Sequence, residues 1–197
     1  MKEFWNERFS NEEFVYGKEP NSFFKEEVDK LEPGRLLLIG EGEGRNAVYA
    51  ASNGWDVYAF DWSEVGKRKA EKFAEERNVS INYKVQELQN FTPEENYYDA
   101  AAIIFVHLEE DLREKVHQKI LNALKPGGVI IVEVYEKEQI KYNSGGPKSL
   151  DLLYSLEELF ADFQDMNFQS FSKEIIELNE SEKHQGRAAV IRLIVKK

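Results

Sequence analysis

The chain has 197 residues, and its 26 basic against 37 acidic side chains leave it a formal net charge of −11. That length suits a single domain able to bury a core without staples, and 42% apolar residues with 32% charged describe an ordinary globular protein. The acidity argues against holding nucleic acid through its phosphates or sitting on an anionic membrane, and the absence of cysteine removes disulfides, thiolate metal sites and cysteine nucleophiles. The N-terminus Met-Lys-Glu-Phe-Trp-Asn-Glu-Arg has no apolar leader core, and the longest apolar run, Ala100–Val106, is too short to span a bilayer. The expectation is a soluble, cytoplasmic protein.

Short apolar runs alternate with charged amphipathic stretches, the pattern of β-α units around a mostly parallel sheet. Ser22–Leu31 reads as a helix stopped by Pro33-Gly34, and Arg35–Ile39 as a first strand buried on both faces. Arg45–Asn53 is a helix, Trp55–Phe60 a second strand, and Ser63 can cap a third helix that carries Lys67-Arg68-Lys69 on a solvated face. Strands follow at Val79–Val85 and Tyr98–Phe105, then a helix over Glu109–Leu124. Pro126-Gly127-Gly128 turns the chain into a fifth strand, Val129–Tyr135. The looser stretch Glu136–Leu150 contains Gly145-Gly146-Pro147. A short helix over Leu156–Phe163 leads to antiparallel strands near Phe168–Leu178 and Ala188–Val195, joined by a polar loop. This order predicts an α/β, doubly wound, seven-stranded, mostly parallel sheet with an antiparallel C-terminal hairpin, and a ligand crevice at the carboxyl ends of the central strands. As one domain over 1–197 it divides into a cover segment and helix at 1–34, a core at 35–135, and a lid-like loop with the last strands at 136–197.

The first strand runs into Gly40-Glu41-Gly42-Glu43-Gly44 and then a helix. A plain β-α turn would need fewer glycines, so the unit reads as a nucleotide-type site where a ligand approaches the backbone. A dinucleotide fits poorly. Arg45 stands where the fingerprint wants glycine or alanine, and Glu41 and Glu43 would each cost on the order of 1 kcal/mol beside a pyrophosphate. A sulfonium nucleoside carries no phosphate and is not opposed. Asp61 ends the second strand 21 residues after Gly40, a spacing that lets its carboxylate accept from both ribose hydroxyls; a helix cap is the competing role.

Together with Trp5-Asn6-Glu7-Arg8-Phe9, Tyr16-Gly17-Lys18-Glu19-Pro20-Asn21, the loop through Asn46, Phe60-Asp61, Phe105-Val106-His107-Leu108, Leu124-Lys125-Pro126-Gly127-Gly128 and Gly145-Gly146-Pro147-Lys148, these residues make a chain that resembles the class I S-adenosylmethionine-dependent methyltransferases, in particular the small tellurite-resistance-type branch. The resemblance implies the Rossmann-like methyltransferase fold and methyl transfer to a small-molecule acceptor such as a thiol or a chalcogen oxyanion like tellurite. It implies S-adenosyl-L-methionine as cofactor, with Gly40, Gly42, Gly44 and Asn46 at its methionine end. Asp61 and Trp62 would then hold the ribose and flank the adenine, Glu87 and Leu88 would meet the adenine, and Tyr16, Gly17 and Phe105 would close the site. Leu38 stands where that family commonly has an acid and Glu41 where it commonly has cysteine. The first departure keeps a non-catalytic donor-binding sensor or partner protein as the alternative reading.

Methyl transfer needs a general base only when the nucleophile arrives protonated. His107, after the fourth strand, either deprotonates or orients a nucleophile or anchors the strand end. His184 is placed near the active site by the resemblance, although a solvated loop histidine explains it equally; Gln185 follows it where an arginine is common. His117 reads as structural, and three widely spaced histidines make no metal site. The aromatics Phe4, Trp5, Phe9, Phe14 and Tyr16 read first as a hydrophobic cover. A monomer or homodimer is expected.

Overall fold

The computed structural model describes residues 2–197. Thirteen helices and strands succeed one another as α1 (Lys2–Arg8), α2 (Ser22–Val28), β1 (Arg35–Ile39), α3 (Arg45–Ser52), β2 (Asp56–Asp61), α4 (Glu64–Glu76), β3 (Asn82–Val85), β4 (Tyr98–Ile104), α5 (Glu110–Ala123), β5 (Leu124–Tyr135), α6 (Leu156–Phe163), β6 (Asn167–Ser181) and β7 (His184–Lys196). The seven strands form one sheet in the order β3-β2-β1-β4-β5-β7-β6. The strands from β3 to β5 run parallel, and β7 pairs antiparallel with both β5 and β6. The strand order reverses between β1 and β4, which opens a crevice at their carboxyl ends.

Strand alternation divides the core. Leu37 and Ile39 point into the layer with Val116, Ile120 and Phe163, while Leu36 and Leu38 pack on the other face with Phe24, Ala47 and Ala70. Leu38, at the position of the family's acid, is therefore a fully buried apolar contact of the α2–α3–α4 layer.

Helix α1 is not among the expected elements, α2 ends at Val28 rather than Leu31, β3 starts at Asn82 rather than Val79, and three further expectations change. β5 begins at Leu124 rather than Val129: Leu124 already pairs with Tyr98, and an irregularity before the Ala100–Val129 pair absorbs Pro126-Gly127-Gly128 within the strand. β6 and β7 extend to Ser181 and from His184, so a two-residue turn joins them in place of a longer polar loop. Lys69 is not on a solvated face. Its ammonium donates to the carbonyls of Phe9, Asn11 and Glu13 and pairs with Glu43, clamping the N-terminal segment across α4.

α3 starts without a side-chain cap from Gly44, and the carboxylate of Glu41 takes that place by accepting from the Ala47 amide at 2.7 Å. Burial pushes the Glu41 carboxyl up to about 7, above its ordinary 4.5. A carboxyl whose pKa is higher folded than unfolded stabilises the fold most fully below pH 4.5, and that contribution is lost as pH rises through 7. Glu41→Gln keeps an acceptor for Ala47 without the buried charge. Denaturant unfolding should find it up to about 3 kcal/mol more stable than the natural chain at pH 8, with the gap closed near pH 4.5. An equal gap at both pH values would refute the assignment.

Candidate active site

The glycine loop is held from several sides. The Asp61 carboxylate at the tip of β2 accepts from the Gly42 amide at 3.0 Å and from the Ser63 amide at 2.8 Å, so it ties the loop to the start of α4. Ser63 caps α4 by accepting from Gly66, and the Tyr83 hydroxyl donates to the Gly42 carbonyl at 2.7 Å. Asp61 is buried, which raises its pKa, yet its two oxygens retain lone pairs for further donors. Gly40, Gly42 and Gly44 all have positive φ, and an added Cβ would meet Val106 at 2.7 Å, Phe9 at 3.1 Å and Ala70 at 2.5 Å respectively. The sequence reading assigned these glycines to ligand approach. In the fold they also serve the turn itself and close packing against protein.

Glu41 and Glu43 do not lie free beside the bend as expected. Glu41 occupies the N-terminal turn of α3, the place a pyrophosphate would take, and Glu43 binds the Val15 amide and Lys69. The loop thus meets the test for a phosphate-free nucleoside on different grounds: the helix terminus is already filled by the chain's own Glu41 carboxyl group. With Asp61 at the β2 tip, the residues present fit S-adenosylmethionine.

Around this loop the expected donor residues gather unevenly. The Gln86 amide donates to the Asp61 carbonyl, which brings Glu87, exposed, and Leu88, packed against the Phe60–Phe91 layer, beside the β2 tip with half-buried Trp62. Asn46 accepts from the Asn21 amide, and Arg45 donates to the Tyr16 carbonyl and pairs with Glu180 at 3.0 Å. These bonds draw the segment of Tyr16 and Gly17 onto the start of α3. Glu133, fully buried on β5, accepts from Asn21 and Arg192.

A second cluster forms at the ends of β4, β5 and β7. Phe105 takes a positive φ of 52°, a strained conformation for a bulky residue, and its ring stacks on Tyr135 at 4.5 Å and meets His184 edge-on at 4.9 Å. Tyr16 lies 4.5 Å from His184 and His107 stacks on Tyr135 at 5.4 Å. The Arg8 guanidinium covers the outer side, over the rings of Phe4, Trp5 and Tyr16. His184 is therefore the first, buried residue of β7 and not a solvated loop histidine; its Nδ1 bonds Glu180 at 2.9 Å, and burial lowers its pKa. His117 is far from this cluster in role, held with Arg113 on Asp162 between α5 and α6.

The proton on His107 can be assigned. Its Nδ1 lies 2.7 Å from the Leu152 carbonyl, which can only accept, so Nδ1 carries the hydrogen and Nε2 presents a lone pair. That Nε2 is buried and has no hydrogen-bond partner, as is the Tyr135 hydroxyl. Burial pushes the His107 imidazole down to about 4. Tyr135 was missed by the sequence reading, where it is only the last residue of a strand. The nearby 142–149 stretch is well tethered, since buried Gln139 donates to Ser144 Oγ and the Gly145 carbonyl and accepts from the Ala189 amide.

Comparison with known proteins bears on the domain and the fold. A family model described as a methyltransferase domain matches residues 36–128. The 2-heptyl-1-hydroxyquinolin-4(1H)-one methyltransferase of Mycobacteroides abscessus is 28% identical over 117 residues, covering 58% of this chain and 52% of that protein. TehB of Haemophilus influenzae, named a probable S-adenosyl-L-methionine-dependent methyltransferase, is 21% identical over 159 residues, covering 80% of this chain and 54% of its own length. The chain spans about half the length of these curated relatives. The crystal structure of TehB from H. influenzae superposes over 100% of this chain and 66% of its own, with a TM-score of 0.75 at 17% identity. Among the described residues no helix is long and apolar enough to cross a membrane. The chain thus carries a methyltransferase domain over residues 36–128, and in sheet order and glycine loop it is similar to the class I S-adenosylmethionine-dependent methyltransferases, TehB among them.

Proposed function

We propose that the chain transfers the methyl group of S-adenosylmethionine to a small-molecule acceptor, a thiol or a chalcogen oxyanion such as tellurite, in the cytoplasm and as a monomer or homodimer. The observation that carries this reading is the buried, unpartnered Nε2 of His107 at the carboxyl end of β4, next to the glycine loop through Val106. Gly40, Gly42, Gly44 and Asn46 hold the methionine end of the donor, Asp61 and Trp62 its ribose, and Glu87 and Leu88 its adenine. Tyr16, Gly17 and Phe105 close over it. The net charge of −11 favours a small acceptor over nucleic acid or an anionic membrane.

When bound, the donor supplies a sulfonium methyl, so that the acceptor heteroatom bonds to carbon as the carbon–sulfur bond breaks and its electron pair stays on sulfur. The chain's part is to position and to move a proton. His107 Nε2 takes the proton of an acceptor that arrives protonated, and the Leu152 carbonyl keeps the resulting imidazolium oriented through Nδ1. His184, fixed by Glu180, lines the same space and orients the acceptor.

Three outcomes test this reading. Calorimetry should find that the natural chain binds S-adenosylmethionine and its demethylated product, with Asp61→Asn at least about tenfold weaker; no binding by the natural chain contradicts the proposal. In an assay for the demethylated product across sulfide, thiophenol, selenite and tellurite, His107→Gln should lower kcat about a hundredfold or more. Binding without product from any of these would support a non-catalytic sensor instead. Because the His107 pKa is pushed down to about 4, its basic form is already present at pH 5, so kcat/KM should show no acid limb near pH 6.5. A limb there would show that His107 is solvated and ordinary.

A further inference from the structure

Five buried side-chain polar atoms among the described residues lack a hydrogen-bond partner, and two of them sit on one pair of stacked rings, His107 Nε2 and the Tyr135 hydroxyl. Folding does not explain the second. Tyr135 is 1% exposed and packed with Leu153, Leu178, Ala188 and Val190, where phenylalanine would fill the same space without stranding a hydroxyl. A Cβ on Gly145 would stand 2.6 Å from that hydroxyl and 2.8 Å from His184 Cδ2, so only a glycine lets the chain pass this close to both groups.

We propose that Tyr135 is a substrate-binding residue whose hydroxyl donates to the acceptor's nucleophilic heteroatom while that atom gives its own hydrogen to His107 Nε2. The inference rests on the methyltransferase reading and narrows its acceptor to a neutral X–H compound, a thiol or phenol-type hydroxyl on a flat frame. The two orphaned atoms are complementary: Nε2 can only accept, and the phenol donates, which together suit one atom bearing a proton and lone pairs. Phe105, packed on Tyr135, and Tyr16, packed on His184, make the surroundings aromatic, which suits a flat frame. An oxyanion would instead meet the Nε2 lone pair, which cannot donate to it. As the methyl is transferred, the X–H proton passes to His107, and the Tyr135 bond keeps X aligned.

The test uses 4-nitrophenol near pH 5, where it is neutral in solution and its absorption reports any ionisation, titrated into the full chain with and without the demethylated donor, alongside Tyr135→Phe. The proposal expects the natural chain to bind this probe. Tyr135→Phe should bind it tenfold or more weakly, with unchanged affinity for the demethylated donor and a thermal midpoint no lower than the natural chain's. Sodium selenite should fail to displace the probe. Equal binding by the two chains, no binding by the natural chain, or displacement by selenite would each overturn it. Probe binding that depends on Tyr135 in a chain that binds no donor would leave this inference standing and sink the methyltransferase reading. Donor binding and turnover unaffected by Tyr135→Phe would do the reverse.

Discussion

One hydrogen bond decides what this site can do. A backbone carbonyl at Leu152 can only accept, so the His107 proton must sit on Nδ1 and the opposite, buried nitrogen must carry the lone pair. The carbonyl is itself held in place: Tyr154, two residues on, bonds the Leu108 amide through its hydroxyl, and its own amide donates to the Tyr135 carbonyl. The segment leading into α6 therefore fixes both the tautomer of His107 and the loop that carries it. Burial keeps the ring neutral, so its basic form does not depend on a neighbouring carboxylate.

The donor side follows a similar logic, with charge placed by the chain before any ligand arrives. Asp61 holds the Gly42 and Ser63 amides, and Glu41 fills the helix terminus that other nucleotide folds offer to phosphate. Arg45, Glu180 and His184 form a chain of ionic contacts from the start of α3 to the β6–β7 hairpin. Against the pull of its burial, His184 and Arg45 hold Glu180 below the usual carboxylate range, so its carboxylate stays ionised and balanced by Arg45. The N-terminal segment is bound into the same arrangement through Tyr16 on Arg45 and Val15 on Glu43.

The order of strands was readable in the sequence because each buried strand is a short apolar run and each crossover is amphipathic; the resemblance supplied the family. What stayed hidden depends on contacts between distant segments. Lys67-Arg68-Lys69 reads as a solvated charge run, and only the folding of residues 9–13 across α4 turns Lys69 into an anchor. His184 follows polar residues and reads as loop, whereas pairing with Ser181 makes it a strand residue. Pro126-Gly127-Gly128 reads as a turn, yet the β4 partner carries the strand through it. Tyr135 gave no signal at all, because an unpartnered hydroxyl is a property of its surroundings and not of its position in a pattern.

If the Leu152 carbonyl and burial govern His107, its Nε2 stays unprotonated throughout the neutral range, and nitrogen NMR of the imidazole in the natural chain measures this directly. Between pH 5 and pH 8 the account predicts one constant pair of signals, a protonated Nδ1 and a bare Nε2. A proton found on Nε2, or a ring that titrates near pH 6.5, would contradict it.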